Sequence, residues 1–110
     1  MKKIAIPMAD CGLCDHFEEL QYFLIYDFDN PSGIREDMKV PPNTEIRKIS
    51  DWLIEHGVTD IIARGIDYVS IRSLNQKKIH VFVGVEKKHP EDLIRDYLRK
   101  VLDTDETMCY

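Results

Sequence analysis

The second half of the chain alternates between strand and helix patterns, and this alternation most restricts the folds open to it. Residues 60–63 and 79–83 are short apolar runs that predict strands, and a helix capped by Asp67 and ending near Asn75 lies between them. Two strands joined through a helix are parallel neighbours with a right-handed crossover. A further helix starts with Pro90, a residue favoured at the first helical position. This half therefore predicts a parallel sheet covered by helices.

Three more strands and one helix are predicted in the first half. Residues 4–6 and 22–28 are apolar runs, while residues 34–40 alternate between apolar and charged side chains, as expected of a strand at the edge of a sheet. Asn43 or Thr44 then caps a helix. We predict an α/β protein with three α/β/α layers and a mixed five-stranded sheet. Its first two strands are antiparallel, and its last two run parallel to the first.

The predicted core consists of apolar residues on the buried faces of these elements, with Trp52 and Ile54 widening the apolar face of the first helix. We expect the following residues to be mostly buried: Ile4, Ile6, Leu24, Ile49, Leu53, Ile61, Ile62, Val81, Val83, Leu93 and Leu98. At 110 residues the chain fits one domain, which we place at residues 1–103. We expect residues 104–110 to form a flexible acidic tail.

Composition and charge exclude several classes of function. No apolar run reaches the roughly 20 residues that span a bilayer, and the first residues lack the hydrophobic stretch of a secretion signal, so we expect a cytoplasmic protein. The formal net charge is −5 and the basic residues form no long cluster, which argues against nucleic acid as a partner. The chain has three cysteines, and this odd number argues for reduced thiols rather than disulfides.

Cys11, Cys14 and His16 form the strongest chemical motif in the sequence, directly after the first predicted strand. Two thiolates separated by two residues bind one soft metal ion or one side of an iron-sulfur cluster, and a nearby imidazole supplies a third ligand. In α/β sheets, ligands bind at the carboxyl ends of strands. The motif therefore predicts a site for zinc, iron or an iron-sulfur cluster, with both thiols reduced and partly exposed.

The order and spacing of several segments resemble a known family. These segments are KIAIP at residues 3–7, HF and YFLIYD within residues 16–27, LIEHGVTDII at residues 53–62 and IHVFVGV at residues 79–85. Together they resemble the dinitrogenase iron-molybdenum cofactor biosynthesis proteins over nearly the whole chain. The resemblance implies a ribonuclease H-like topology and the binding or carriage of iron-sulfur or iron-molybdenum cofactor precursors. It also implies a partner protein in cluster assembly.

Three hypotheses of function remain open, and none of them involves nucleic acid or a membrane. The first is a small carrier of a metal or cofactor precursor, or an accessory protein, without enzymatic activity. The second is a non-catalytic module that binds a small ligand or regulates a partner. The third is a thiol-disulfide oxidoreductase. It is disfavoured because residues 15–21 are too few for the helix that normally starts at a reactive Cys-x-x-Cys motif.

Overall fold

A mixed sheet forms the centre of the computed structural model, which describes residues 2–10, 12–28, 33–42 and 45–110. Within these residues the strands are β1 (Lys3–Ala9), β2 (Gly12–Leu13), β3 (Tyr22–Asp27), β4 (Arg35–Lys39), β5 (Asp60–Ile62) and β6 (His80–Phe82). Their spatial order is β4-β3-β1-β5-β6, and β2 pairs with β1. Strand β3 is antiparallel to β1 and β4, whereas β5 and β6 run parallel to β1. The predicted topology is confirmed, and the short strand β2 is an addition that the sequence pattern did not predict.

The helices of the described residues are α1 (Ile46–Glu55), α2 (Tyr68–Gln76) and α3 (Pro90–Leu98), and short 3-10 turns cover Phe17–Glu19 and Glu106–Met108. Helices α1 and α2 pack on one face of the sheet, and α3 packs on the other. This arrangement confirms the predicted three α/β/α layers. In the part of the chain that the structure describes, every helix is too short or too polar to cross a membrane.

Side chains of the strands alternate between two apolar cores because successive residues of a strand point to opposite faces. In β1, Ala5 packs in the core beneath α1 and α2, whereas Ile4 and Ile6 pack in the core beneath α3. All three side chains are fully buried. Strand β1 lies between β3 and β5 in the middle of the sheet, which explains why both of its faces are covered.

The starts of the helices agree in part with the predicted caps. Asp67 caps α2, because its carboxylate accepts a hydrogen bond from the Ser70 amide at 3.0 Å. Glu45 is the N-cap of α1. The predicted caps of that helix, Asn43 and Thr44, lie outside the described residues. Helix α1 thus begins later in the chain than the sequence pattern predicts.

Most of the predicted core residues are buried, but two apolar residues of the helices are not. Ile54 is 44% exposed and Leu98 is 51% exposed, so their assignment to the core was wrong. Ile54 follows the buried Leu53 by one residue, about 100° around the helix, and therefore points away from the sheet. Leu98 is the last residue of α3 and lines an open groove. Two further members of the predicted core, Leu24 and Val81, are only partly buried.

A buried carboxylate ties α3 to the sheet. Asp60, the first residue of β5, is 2% exposed. Its Oδ2 atom accepts a hydrogen bond from the Tyr97 hydroxyl at 3.0 Å and lies 3.4 Å from the Lys2 ammonium. Burial, followed by the bond to Asp60, raises the pKa of Tyr97 to about 12. Because a buried charge requires polar partners, Asp60 fixes the end of α3 against β5.

The segment of residues 105–110 packs on the domain beside the ends of β5 and β6. The Asp105 amide donates a hydrogen bond to the Val83 carbonyl at 2.9 Å. The Ile66 amide donates to the Met108 carbonyl at 3.4 Å, and the Ile66 carbonyl accepts from the Tyr110 amide at 3.2 Å. These contacts place the segment over the end of β5. The predicted flexibility of residues 104–110 stays a prediction.

We expect Leu53→Ala to lower the free energy of unfolding by about 2–5 kcal/mol, because it removes apolar contacts and leaves a cavity. Ile54→Ala is the matched control, since Ile54 lies on the exposed side of the same helix, and its truncation should cost less than about 1 kcal/mol. Urea unfolding followed by circular dichroism measures both variants. Equal losses would contradict the assignment of Leu53 to the core and Ile54 to the surface.

Candidate functional site

The carboxyl ends of β1, β5 and β6 meet at one edge of the sheet, because these strands are parallel. Residues 12–19, which we call the Cys14 loop, follow β1 at this edge. Strand β2 folds the start of the loop back onto β1, with Leu13 opposite Met8. The residues that follow β5 and β6 lie beside the loop. Parallel pairing thus gathers segments that are far apart in the sequence, as expected for ligand sites in α/β sheets.

Main-chain hydrogen bonds join the Cys14 loop to the residue that follows β5 by three positions. The Gly65 amide donates to the Asp15 carbonyl at 3.0 Å, and the Gly65 carbonyl accepts from the Phe17 amide at 2.8 Å. A Cβ atom on Gly65 would lie 2.7 Å from the Asp15 main-chain oxygen and 3.0 Å from His16 Nδ1. The close approach of the loop therefore requires glycine at position 65.

A cleft of about 270 Å³ opens beside the Cys14 loop. It is lined by Ala9, Asp10, Gly12, Leu13, Cys14, Asp15, Glu19, Gln21 and Lys87. Larger cavities exist, such as one of about 520 Å³ beside α2 and β6. The smaller cleft is the stronger candidate for a metal or cluster site, because it combines a thiol with carboxylates at the carboxyl end of β1.

Asp15 forms ion pairs with residues from the two other segments of this edge. Both of its carboxylate oxygens lie 3.2 Å from the Lys87 ammonium, and Oδ1 lies 3.5 Å from Arg64 Nε. The Arg64 guanidinium also donates a hydrogen bond to the Val85 carbonyl at 3.0 Å. Arg64 and Lys87 were not predicted from the sequence as residues of this site. Their positions shortly after two predicted strands were the one feature of the sequence that could have placed them at this site.

Cys14 is 3% exposed, so the prediction of a partly exposed thiol was wrong for this residue. The side chain is enclosed because strand β2 and the bond from the Cys14 amide to the Pro7 carbonyl, at 3.2 Å, press the loop against β1. Burial, and after it the charges of Glu19 and Asp15, raises the pKa of the Cys14 thiol to about 11. The thiol is therefore protonated at neutral pH and must lose its proton before it can bind a metal.

His16 lies at the surface, and its ring contacts Tyr110 in an edge-on arrangement with 5.6 Å between the ring centroids. Cys11 lies outside the described residues. Within residues 2–10, 12–28, 33–42 and 45–110, no three His, Cys, Asp or Glu side chains converge closely enough to hold a metal ion. The assignment of Cys11, Cys14 and His16 as metal ligands therefore stays a prediction.

Comparisons with known proteins identify similar sequences and folds. The family model described as dinitrogenase iron-molybdenum cofactor matches residues 1–100. Among solved structures, PH0822 is 22% identical with a TM-score of 0.81, and the match covers 96% of this chain and 98% of that chain. The mj0327 protein of Methanocaldococcus jannaschii is 20% identical with a TM-score of 0.71, covering 94% and 93% of the two chains. The apo form of the orange protein from Desulfovibrio gigas is 12% identical with a TM-score of 0.76, covering 96% and 93%. No match is found among curated proteins. The structural likenesses confirm the predicted fold.

We expect iodoacetamide to modify Cys14 slowly at pH 8. A pKa of about 11 leaves about 0.1% of the thiol ionised at this pH, compared with about 10% for a thiol at its ordinary value of 9.0. The rate should rise about tenfold per pH unit up to about pH 11. Peptide mass spectrometry measures the modification at Cys14, with the urea-unfolded protein as the reference. Equal rates in folded and unfolded protein would contradict the buried, protonated thiol.

Proposed function

Because the chain belongs to the dinitrogenase iron-molybdenum cofactor family, we propose that it is a small carrier or accessory protein for a metal ion or a metallocluster precursor. Family membership associates the chain with the metallocluster named in the family description. The cargo in this proposal is zinc, iron, an iron-sulfur cluster or an iron-molybdenum cofactor precursor. The protein holds this cargo without catalysing a reaction, in the cytoplasm where its thiols are reduced, and passes it to a partner protein.

The observation that carries the proposal is the position of Cys14 in a cleft with several carboxylates. Asp10, Asp15 and Glu19 line the same cleft at the carboxyl end of β1. A thiolate is a soft ligand that suits zinc, iron and iron-sulfur clusters, and nearby carboxylates attract a cation. The Lys87 ammonium in this cleft provides a positive charge for the anionic sulfides of a cluster.

In this proposal, binding of the cargo requires loss of the Cys14 thiol proton and opening of the Cys14 loop. Glu19 and Asp15 help to keep the Cys14 thiol protonated when the cleft is empty. A cation in the cleft reverses this effect, because it favours the thiolate over the thiol. Cys11 and His16 complete the proposed ligand set. Since Cys14 is buried, cargo reaches its sulfur only when the Cys14 loop opens.

A second candidate function is a non-catalytic module that binds a small ligand. It is favoured by the cavity of about 520 Å³ beside α2 and β6, where the apolar side chains of Ile71 and Val83 lie with His80. The oxidoreductase hypothesis is weaker, because a reactive dithiol requires a thiol pKa below the ordinary value, whereas the pKa of Cys14 is raised to about 11.

We expect the double variant Cys11→Ser, Cys14→Ser to lose stoichiometric binding of cobalt(II), because serine does not supply a thiolate ligand. Cys109→Ser is the matched control and should keep the stoichiometry of the wild type, since Cys109 lies outside the cleft. The absorption of the thiolate-to-cobalt charge transfer measures the stoichiometry. Circular dichroism shows whether each variant is folded, and we expect both to be folded because the sheet and helices have their own cores.

Stoichiometric binding by the double variant would overturn the assignment of the cysteines as ligands. Unfolding of the double variant would mean that the site is structural. Failure of the wild type to bind cobalt(II) or iron(II) would favour the small-ligand module, and reversible cycling between dithiol and disulfide with a small substrate would favour the oxidoreductase.

A further inference from the structure

Tyr110 contacts the Cys14 loop at two residues. Its ring packs edge-on against His16, with 5.6 Å between centroids, and its hydroxyl donates a hydrogen bond to Glu18 Oε1 at 3.3 Å. Tyr110 Cε1 also lies 3.6 Å from the position that a Cβ atom on Gly65 would occupy. Tyr110 and the loop therefore pack on the same glycine, next to the cleft that contains Cys14.

A small number of main-chain hydrogen bonds hold Tyr110 in this place. The Tyr68 amide at the start of α2 donates to the main-chain oxygen of Tyr110 at 2.6 Å, and the Tyr110 amide donates to the Ile66 carbonyl at 3.2 Å. The Tyr110 side chain remains exposed at the surface. Met108 and Cys109 pack partly buried against the core beneath α1 and α2. Detachment of the segment therefore costs more than fraying of a free end and less than global unfolding.

Gly84 makes the docking of residues 105–110 possible. A Cβ atom on Gly84 would lie 2.1 Å from the Asp105 carbonyl oxygen, a distance that no side chain tolerates. The backbone of Gly84 also has a positive φ of 75°. An alanine at this position would thus push residue 105 away from β6 and loosen the segment as far as Tyr110.

We infer that residues 105–110 form a reversible latch on the Cys14 loop, with Tyr110 as the positioning residue. The latch adds the Tyr110 contacts with His16 and Glu18 to the main-chain bonds that close the loop over Cys14, so that cargo enters more readily when Tyr110 detaches. This inference rests on the proposed function. It adds that occupancy of the cleft and docking of residues 105–110 oppose each other, and such coupling acts equally in both directions.

The experiment compares cobalt(II) affinity with latch docking in the same variants. Tyr110→Ala removes the ring from His16, and Gly84→Ala displaces Asp105. We expect each variant to bind cobalt(II) about fivefold more tightly than the wild type or better, which is the low end of allosteric coupling between two sites. Hydrogen exchange of the Ile66 and Tyr68 amides measures docking, and both amides should exchange faster in the two variants and in cobalt-loaded wild type.

Three further variants serve as controls. Tyr110→Phe keeps the ring and should bind cobalt(II) within about twofold of the wild type. Gly33→Ala introduces the same kind of strain, since Gly33 has a φ of 111°, but its Cβ would contact nothing within 4 Å. It should change neither affinity nor exchange. His16→Ala also removes a proposed ligand, so its own cobalt(II) affinity is the reference, and in this background the gain from Tyr110→Ala should decrease because the two residues no longer share a contact.

Faster amide exchange in Tyr110→Ala or Gly84→Ala with unchanged cobalt(II) affinity would overturn the latch and leave the proposed carrier function intact. Absence of cobalt(II) binding in every variant, including the wild type, would overturn the carrier function and the latch with it. If Gly84→Ala fails to fold, Tyr110→Ala still decides the question, since Tyr110 lies at the surface.

Discussion

The rest of the structure depends on the hydrogen bonding of β1 along both of its edges. This strand pairs antiparallel with β3 and parallel with β5, and its side chains fill the cores on both faces. The parallel edge places the end of β1 next to the end of β5. Gly65 can then donate a hydrogen bond to Asp15 and accept one from Phe17, which brings the Cys14 loop beside Arg64. Strand pairing thus determines where the candidate site lies, and the side chains that line the site determine its charge and its possible ligands.

Local patterns were sufficient to predict most of the fold. The alternation of apolar and charged residues at 34–40 identified an edge strand, and Asp67 identified the start of α2 as a helix-capping residue. Both signals depend only on residues that are neighbours in the sequence. The extent of burial on each helix depends instead on how much of its surface the sheet covers. The spacing of apolar residues does not show how much of a helix surface the sheet covers. Ile54 and Leu98 were therefore assigned to the core although both are exposed.

The position of Cys14 at the carboxyl end of β1 was predicted from the sequence, but its surroundings were not. Cys14 and the end of β1 follow from a short motif and a general rule about parallel sheets. The ion pairs from Asp15 to Arg64 and Lys87 join residues from three separate segments. A single sequence does not predict contacts between residues so far apart in the chain. The same holds for the burial of Cys14 and for its raised pKa, since both arise from the folding of the loop onto β1.

Two helices cover one face of the sheet and one helix covers the other, so the free-energy cost of local opening differs between the two faces. Helices α1 and α2 support each other, through the Ser50 and Ser73 hydroxyls at 3.2 Å and through a Lys77–Asp51 ion pair at 2.9 Å. They therefore open together and expose a large core. Helix α3 lies on the other face, where the packing of Leu93 and Ile94 and the bond from the Tyr97 hydroxyl to Asp60 hold it. Opening of α3 would therefore expose the core of Ile4, Ile6 and Ile62, which is separate from the core that α1 and α2 cover.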